Sequence, residues 1–101
     1  MPPEIVEVSG EVTFSNVNGL GGRLEAALAQ ATHVIVDLSA VSFIDSSGLS
    51  ALLTASAAAR KRGGSVALVL GDGEPPSIFR FRGVDRLLAL YPSRDAALAA
   101  L

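Results

Sequence analysis

The best candidates for chemistry are Asp45, Ser46 and Ser47, which lie between an apolar segment and Gly48. Short side chains that carry oxygen atoms cap the exposed backbone amides at the start of a helix, so this group predicts a helix N-terminus. Backbone N–H groups and the helix dipole make such a point electropositive. A helix start with two hydroxyls and a carboxylate can accept a phosphate, or these side chains can cap the helix. The residues alone favour the capping role.

A catalytic serine is not expected, because it needs a neighbouring general base and the chain has a single histidine, His33. His33 opens the strand whose other end precedes Ser46, so an ordinary strand rise separates the two by more than ~10 Å. We predict that His33 is a surface residue at the edge of a strand. A lone histidine with scattered carboxylates predicts no metal site, and we expect no enzymatic activity.

Two further groups of residues have structural explanations. Asp37 and Asp45 could be paired acids, but nothing supplies the two different environments that acid–base catalysis requires, so we expect turn and cap roles. The glycine-rich residues 19–22 lack the GxGxxG spacing and the lysine–hydroxyl pair of nucleotide-binding loops. We therefore predict no bound cofactor.

Composition predicts one domain, since the chain has 101 residues, half of them hydrophobic, and a net charge of −2. A chain of this size buries roughly two thirds of its unfolded surface. It has no cysteine, which excludes disulfides and thiolate metal sites. The charge does not predict binding to nucleic acid. Without a long apolar run or a signal peptide, we expect a cytoplasmic protein without direct membrane insertion.

Hydrophobic periodicity predicts strands that alternate with helices along the whole chain. The predicted strands cover residues 5–14 with a bend at Gly10, 34–38 with a second apolar cluster at 41–44, 65–70 and 87–91. The predicted helices follow the glycines at 19–22, run from 45 to 62, end at Arg82, and start again at Pro92 and Ser93. This order predicts a single α/β domain with a mainly parallel sheet of four to five strands and about four helices.

The segment from Asp37 to Leu49, DLSAVSFIDSSGL, closely resembles the signature of STAS domains, particularly bacterial anti-sigma factor antagonists. Other matches extend over most of the chain. They are Gly10-Glu11, Arg62-Gly-Gly64, and residues 83–88 and 91–98. The resemblance implies a STAS domain over residues 1–101.

In that family, the first serine after the signature aspartate is phosphorylated by an anti-sigma factor that is also a serine kinase. The matching residue here is Ser46. The resemblance implies that the unphosphorylated protein binds this kinase and frees a sigma factor, that the phosphorylated form is released, and that a protein phosphatase later restores the unphosphorylated form. It implies a partner-binding surface at Asp45, Ser46, Ser47, Gly48 and Leu49. In this surface Asp45 orients the Ser46 hydroxyl or contacts the kinase, Ser47 caps the helix, and Gly48 leaves room for the partner.

Some residues depart from the antagonist pattern. Thr13 stands where antagonists commonly have an aspartate, while Phe14 and Asn16 are similar to STAS domains of sulfate-permease-type anion transporters. A cytoplasmic regulatory domain of such a transporter is therefore the alternative, and a scaffold subunit whose Ser46 is never modified is a third. The family's usual opening strand is missing or shortened to residues 1–4, which predicts an exposed sheet edge and favours a homodimer.

Overall fold

The computed structural model describes residues 2–73, 75–80 and 83–101. Its elements are β1 (Glu4–Val12), α1 (Val17–Gln30), β2 (His33–Ile44), α2 (Ser46–Lys61), β3 (Ser65–Val69), a 3₁₀ helix (Ser77–Arg80), α3 (Val84–Leu87), β4 (Ala89–Tyr91) and α4 (Arg94–Ala99). The described strands form one sheet in the order β1-β2-β3-β4, and every neighbouring pair is parallel. The predicted α/β class and parallel sheet are confirmed.

The main core lies between the sheet and the pair of helices α1 and α2, where it includes Val6, Leu24, Val36 and Leu52. Helix α4 covers the other face of the sheet with a smaller cluster around Ile35. Strand β2 is buried on both faces along its first half, as expected for an interior strand of a parallel sheet. None of the described helices combines the length and the apolar character needed to cross a membrane.

Strand β1 bends at Gly10, as the sequence predicted. Its register against β2 shifts between Glu7 and Ser9 and again between Gly10 and Glu11. Gly10 has a φ of 75°, which a glycine adopts without the steric cost that a Cβ would add. The two shifts bring the ends of β1 and β2 side by side at Val12, where the candidate site begins.

Helix α2 ends in the manner its sequence predicted. The Gly63 N–H donates to the Arg60 carbonyl at 3.1 Å, and the Gly64 N–H donates to the Ala59 carbonyl at 2.8 Å. With Gly63 at a φ of 77°, these two bonds form a Schellman motif that satisfies the last carbonyls of the helix.

Two helices differ from the sequence prediction. Helix α1 begins at Val17, so the glycines predicted as its flexible start lie within its first two turns. The Thr13 carbonyl starts this helix early, because it accepts from the N–H groups of Asn16 and Val17. The helix predicted to reach Arg82 is a 3₁₀ helix over Ser77–Arg80, and Arg82 itself lies outside the described residues.

The last strand is also shorter than predicted. Gly83 has a φ of 87° and is followed by the four-residue helix α3, which the sequence analysis did not predict. Strand β4 therefore begins at Ala89 rather than at Leu87. Helix α4 follows Ser93, whose hydroxyl accepts from the Ala96 N–H at 3.1 Å, so the predicted start of the last helix is confirmed.

Candidate functional site

Asp45 caps helix α2 at the carboxyl end of β2. Its Oδ1 accepts from the Ser47 N–H at 2.9 Å and from the Gly48 N–H at 3.1 Å, and the Ser47 hydroxyl donates to the same oxygen. Asp45 keeps an extended backbone, as an N-cap residue requires. The predicted helix start is confirmed, but the cap is Asp45 and not Ser47, because the Ser47 hydroxyl acts as a donor.

The second oxygen of Asp45 joins two loops. Oδ2 accepts from the Phe14 N–H at 3.0 Å, and the Asp45 N–H donates to the Val12 carbonyl at 3.0 Å. The β1–α1 loop is therefore fixed to the start of α2. No local pattern connects Phe14 with Asp45 in the sequence, but the carboxyl ends of two neighbouring parallel strands lie at the same end of a sheet, and this signal could have connected them.

These donors lower the pKa of Asp45 below its ordinary value. The largest cause is the Ser47 hydroxyl, which outweighs the partial loss of solvent around the carboxylate, and the backbone N–H groups of Gly48, Phe14 and Ser47 add to it. Hydrogen bonds to a carboxylate favour its charged form. Asp45 is therefore ionised at neutral pH, and both its oxygens are engaged within the domain.

Ser46 is the first residue of α2, and it is exposed. Its hydroxyl makes no hydrogen bond to any residue in the described part of the chain, whereas the neighbouring Ser47 is held by Asp45. The expectation that Asp45 orients the Ser46 hydroxyl is therefore wrong. Ser46 presents an accessible hydroxyl at the N-terminus of a helix 16 residues long.

Gly48 and Leu49 face the inside of the domain. Gly48 is buried, and a Cβ there would lie 2.5 Å from Cγ1 of Ile44 and 2.9 Å from Cγ1 of Val12. Leu49 is partly buried and packs against the main core. The expectation that Gly48 leaves room for a partner is corrected, because its small size already serves the contact between the helix start and the strands beneath it.

Asp37 belongs to a separate network on the α4 side of the sheet. Its Oδ1 accepts from the N–H and the hydroxyl of Ser39 at 2.9 and 2.6 Å, and its Oδ2 accepts from Nε of Arg94 at 2.7 Å. Burial raises the pKa of Asp37, but the hydrogen bonds from Ser39 and Arg94 outweigh it and bring the pKa below its ordinary value. The turn role predicted for Asp37 is wrong, because Asp37 and Ser39 both lie within β2, where the register of this strand against β1 shifts.

Two aromatic side chains are exposed near Ser46. Phe14 is 83% exposed in the loop bound by Asp45, and Phe43 is 45% exposed two residues before Asp45. The exposure of Phe43 was not predicted, because Phe43 lies in the apolar run that ends at Ile44. Exposed aromatic groups beside a polar turn are typical of a surface that contacts another protein.

Other sequence candidates lie away from this turn. His33 is half-buried, and its Nδ1 lies 2.8 Å from Oγ of Ser65 on the neighbouring strand β3. His33 is the first residue of β2, at the end of the strand opposite Ser46, as predicted, but it is half-buried there and not a fully exposed surface residue. The glycines at residues 19–22 are part of α1 and do not form a loop.

The chain is similar to solved structures along almost its whole length. The crystal structure of an anti-sigma factor antagonist from Mycobacterium paratuberculosis is 30% identical with a TM-score of 0.78, and the match covers 95% of this chain and 82% of that one. A sulfate transporter family protein from Wolinella succinogenes is 25% identical with a TM-score of 0.77, and the match covers 96% and 82%.

The Bacillus cell fate determinant SpoIIAA in its phosphorylated form shares the fold at 20% identity and a TM-score of 0.70, over 100% of this chain and 95% of that one. A comparison with curated protein sequences gave no significant match. Residues 3–97 match the STAS domain. With its parallel sheet and the turn at Asp45, the chain belongs to the STAS domain family.

Proposed function

We propose that this STAS domain is a phosphorylation-controlled protein-binding module that acts as an anti-sigma factor antagonist. The observation that carries the proposal is the exposed Ser46 hydroxyl, which is free of hydrogen bonds within the described residues and stands at the N-terminus of α2. In this proposal the unmodified domain sequesters an anti-sigma factor serine kinase and frees a sigma factor. A protein phosphatase removes the phosphate from Ser46.

The electrostatics of the turn support a switch that needs no refolding. Phosphorylation adds roughly −1.5 to −2 charges, which the N-terminus of a helix tolerates. Ser46 has no internal hydrogen bond to lose, and Asp45 beside it already carries a negative charge. An added phosphate therefore leaves the domain folded and repels an acidic or closely packed partner surface.

The surroundings of Ser46 support a rigid protein-binding surface. Asp45 and Ser47 hold the turn, and Gly48 and Leu49 seat the start of the helix on the core. The exposed Phe14 is fixed to the same turn through Asp45. We propose that the kinase contacts Asp45, Ser46 and Ser47 together with this aromatic side chain, while Gly48 and Leu49 support this surface from within the domain.

Phosphopeptide mass spectrometry tests the proposal. The purified chain is incubated with ATP and a lysate of its host, with Ser46→Ala and Ser47→Ala as parallel variants. We expect phosphate on Ser46 in the wild type and in Ser47→Ala, and no phosphate in Ser46→Ala. Absence of phosphate from Ser46 in a lysate that phosphorylates other proteins contradicts the proposal.

A binding measurement tests the consequence of the modification. The kinase identified by the first experiment is titrated with wild type, Ser46→Ala and Ser46→Asp. We expect Ser46→Ala to bind like the unmodified wild type and Ser46→Asp to bind about tenfold more weakly or worse, a loss of ~1.4 kcal/mol. Equal affinities for wild type and Ser46→Asp contradict a switch at Ser46.

A regulatory domain of an anion transporter is the second candidate, and the β1–α1 loop favours it. Asn16 holds this loop through Oδ1, which accepts from the Thr13 N–H at 2.9 Å, and through Nδ2, which donates to the Glu11 carbonyl at 2.8 Å. The loop presents Phe14 to solvent. If this candidate is correct, Phe14→Ala abolishes partner contacts in a pull-down, and Ser46→Asp leaves them unchanged.

A further inference from the structure

Strand β1 is an open edge of the sheet. It pairs with β2 along one side, and no strand in the described part of the chain borders its other side. Its nine residues give an edge of about 30 Å at the ordinary rise of a strand. An edge with unpaired backbone groups is a template for another strand.

The direction of the free backbone groups follows from one contact. The Glu7 carbonyl accepts from Nη2 of Arg23, a side chain of α1, so the backbone of Glu7 faces away from β2. Because backbone direction alternates along a strand, the N–H and carbonyl of Ile5 face the same way. Ile5 therefore offers a donor and an acceptor to an added strand, and Arg23 occupies the next carbonyl.

A groove accompanies this edge on the side of α1. Two concavities of about 280 and 300 Å³ lie between β1 and α1, and Arg23 lines both. The first is also lined by Glu4 and Ala27, and the second by Glu11 and Leu20. Their walls can receive the side chains that an added strand directs toward the helix.

The charges on β1 indicate which kind of segment could pair with this edge. Glu4, Glu7 and Glu11 are exposed on β1, and the strand itself has no lysine or arginine. Two cations meet the middle of this edge, since Arg94 reaches the Glu7 carboxylate from α4 at 3.1 Å and Arg23 donates to the Glu7 carbonyl. Glu4 and Glu11, on either side, have no ion pair among the described residues. A second copy of β1 would bring three more glutamates, whereas a segment with lysine or arginine complements the edge.

We propose that β1 binds an extended, basic segment of a partner protein as a fifth strand. This is β-strand addition, in which backbone hydrogen bonds give affinity and alternate side chains give specificity. The surface is separate from the Ser46 hydroxyl, so the inference goes beyond the proposed switch. It predicts that Ser46→Asp leaves binding at the edge unchanged.

The test uses a blocked eight-residue peptide in which lysine alternates with valine as the probe. The matched control peptide has glutamate in place of each lysine. Binding is followed by amide chemical-shift changes of the full chain in NMR. We expect the lysine peptide to shift the amides of β1, including Ile5, and we expect no shifts from the glutamate peptide at equal concentration.

Ile5→Pro removes the outward N–H without touching the bonds to β2, and Ile5→Thr keeps that N–H as the matched control. We expect Ile5→Pro to weaken the lysine peptide about fivefold to tenfold, close to the value of one or two net hydrogen bonds. Ile5→Thr should retain binding. If Ile5→Pro does not fold, the double variant Glu4→Gln/Glu11→Gln replaces it, with a similar weakening expected.

Three results overturn the proposal. The first is equal binding of the lysine peptide to wild type and to the folded Ile5→Pro or charge-neutral variant. The second is a set of shifts that maps away from β1 and Arg23. The third is a wild-type dimer in sedimentation that Ile5→Pro dissociates, because the occupant is then a second copy of the chain.

Discussion

Asp37 and Asp45 accept the same kind of local hydrogen bonds and differ in which group binds their second oxygen. Each carboxylate accepts from the N–H and the hydroxyl of the serine two positions later, Ser39 or Ser47. The remaining oxygen of Asp37 binds the Arg94 guanidinium, whereas that of Asp45 binds the uncharged Phe14 N–H. The negative charge of Asp37 is therefore compensated by a cation, whereas Asp45 keeps its negative charge.

This difference gives Asp37 a structural role and supports the proposal that the turn at Asp45 is regulatory. At Asp37 an added charge would disturb an ion pair that connects α4 to the sheet. At Asp45 the carboxylate is held by hydrogen bonds that do not depend on a cation, and the neighbouring Ser46 is exposed. The same local hydrogen-bonding pattern thus leaves a charged, rigid and accessible surface at Asp45 and not at Asp37.

Gly48→Val should have the largest effect, because the Asp45 turn rests directly on the core. The new side chain collides with Ile44 and Val12, and overpacking of this kind costs about 1–3 kcal/mol of unfolding free energy. Urea denaturation measures it. Gly73→Val is the matched control, because a Cβ at Gly73 meets no atom within 4 Å.

Equal urea midpoints for the Gly48 and Gly73 variants would contradict the packing account. They would also restore the sequence-based expectation that the small size of Gly48 leaves room for a partner. The sequence could not decide between these two readings, since a glycine after a helix cap fits both an exposed approach and a buried contact.

The order of the elements and several of their ends could be predicted from the sequence because local signals determine them. The bend at Gly10 and the glycines after α2 are examples in which one residue type permits the observed φ. The four-residue helix α3 was missed, because so short a helix has no periodicity to detect. The early start of α1 was missed because glycines predict a loop more often than a first turn.

The candidate turn was predictable as a helix start, and its contacts were not. The bond from the Phe14 N–H to Asp45 joins residues 31 positions apart, and no local pattern indicates it. The expectation that Asp45 binds the hydroxyl of Ser46 was wrong for a related reason. Ser46 and Ser47 are chemically identical, and the structure shows that Asp45 binds the hydroxyl of Ser47. Which of them points toward the carboxylate depends on the helical direction after Asp45.

Replacement of each aspartate by alanine should show which of the two carboxylates contributes more to the stability of the fold. Asp45→Ala leaves the amides of Ser47, Gly48 and Phe14 without their acceptor, so we expect Tm to fall by several degrees. Asp37→Ala should lower Tm by less, because Arg94 retains Glu7 as a partner. Thermal unfolding by circular dichroism compares them.

Amide hydrogen exchange supplies the control for this pair. Exchange at Phe14 and Gly48 should accelerate in Asp45→Ala and stay unchanged in Asp37→Ala. Asp45→Asn, which keeps one acceptor oxygen, should fall between wild type and Asp45→Ala. A lower Tm for Asp37→Ala than for Asp45→Ala would show that Asp37 contributes more to stability than Asp45, contrary to this prediction.

Removal of each serine hydroxyl should change the pKa of its own aspartate. The pKa of folded Asp45 is lowered, so its contribution to stability is present above the ordinary value of about 3.9 and is lost as the pH falls through the folded value. Ser47→Ala removes the largest cause and should raise the Asp45 pKa toward the ordinary value. The acid-dependent contribution of Asp45 should shrink accordingly.

Carboxyl-carbon NMR titrations measure both aspartates in one sample. Ser39→Ala is the matched control, because it should raise the pKa of Asp37 and leave that of Asp45 unchanged. An Asp45 pKa that stays the same in Ser47→Ala would show that the backbone N–H groups alone hold the carboxylate.

Arg94→Gln should have the smallest effect on Tm, and this effect should depend on the salt concentration. It removes the cation from Asp37 and Glu7, but the Arg94 side chain is 39% exposed, and exposed ion pairs contribute little. We expect Tm to fall by a few degrees at low ionic strength. The deficit should narrow at 1 M salt, where the screening length is about 3 Å.

Arg23→Gln is the matched control for salt, because Arg23 donates to the uncharged Glu7 carbonyl. Its effect on Tm should be nearly the same at low and high salt. If the deficit of Arg94→Gln is equally insensitive to salt, Arg94 holds Asp37 by hydrogen bonding rather than by charge. The two aspartates would then be equivalent, and the negative charge at Asp45 would no longer distinguish the turn that carries Ser46.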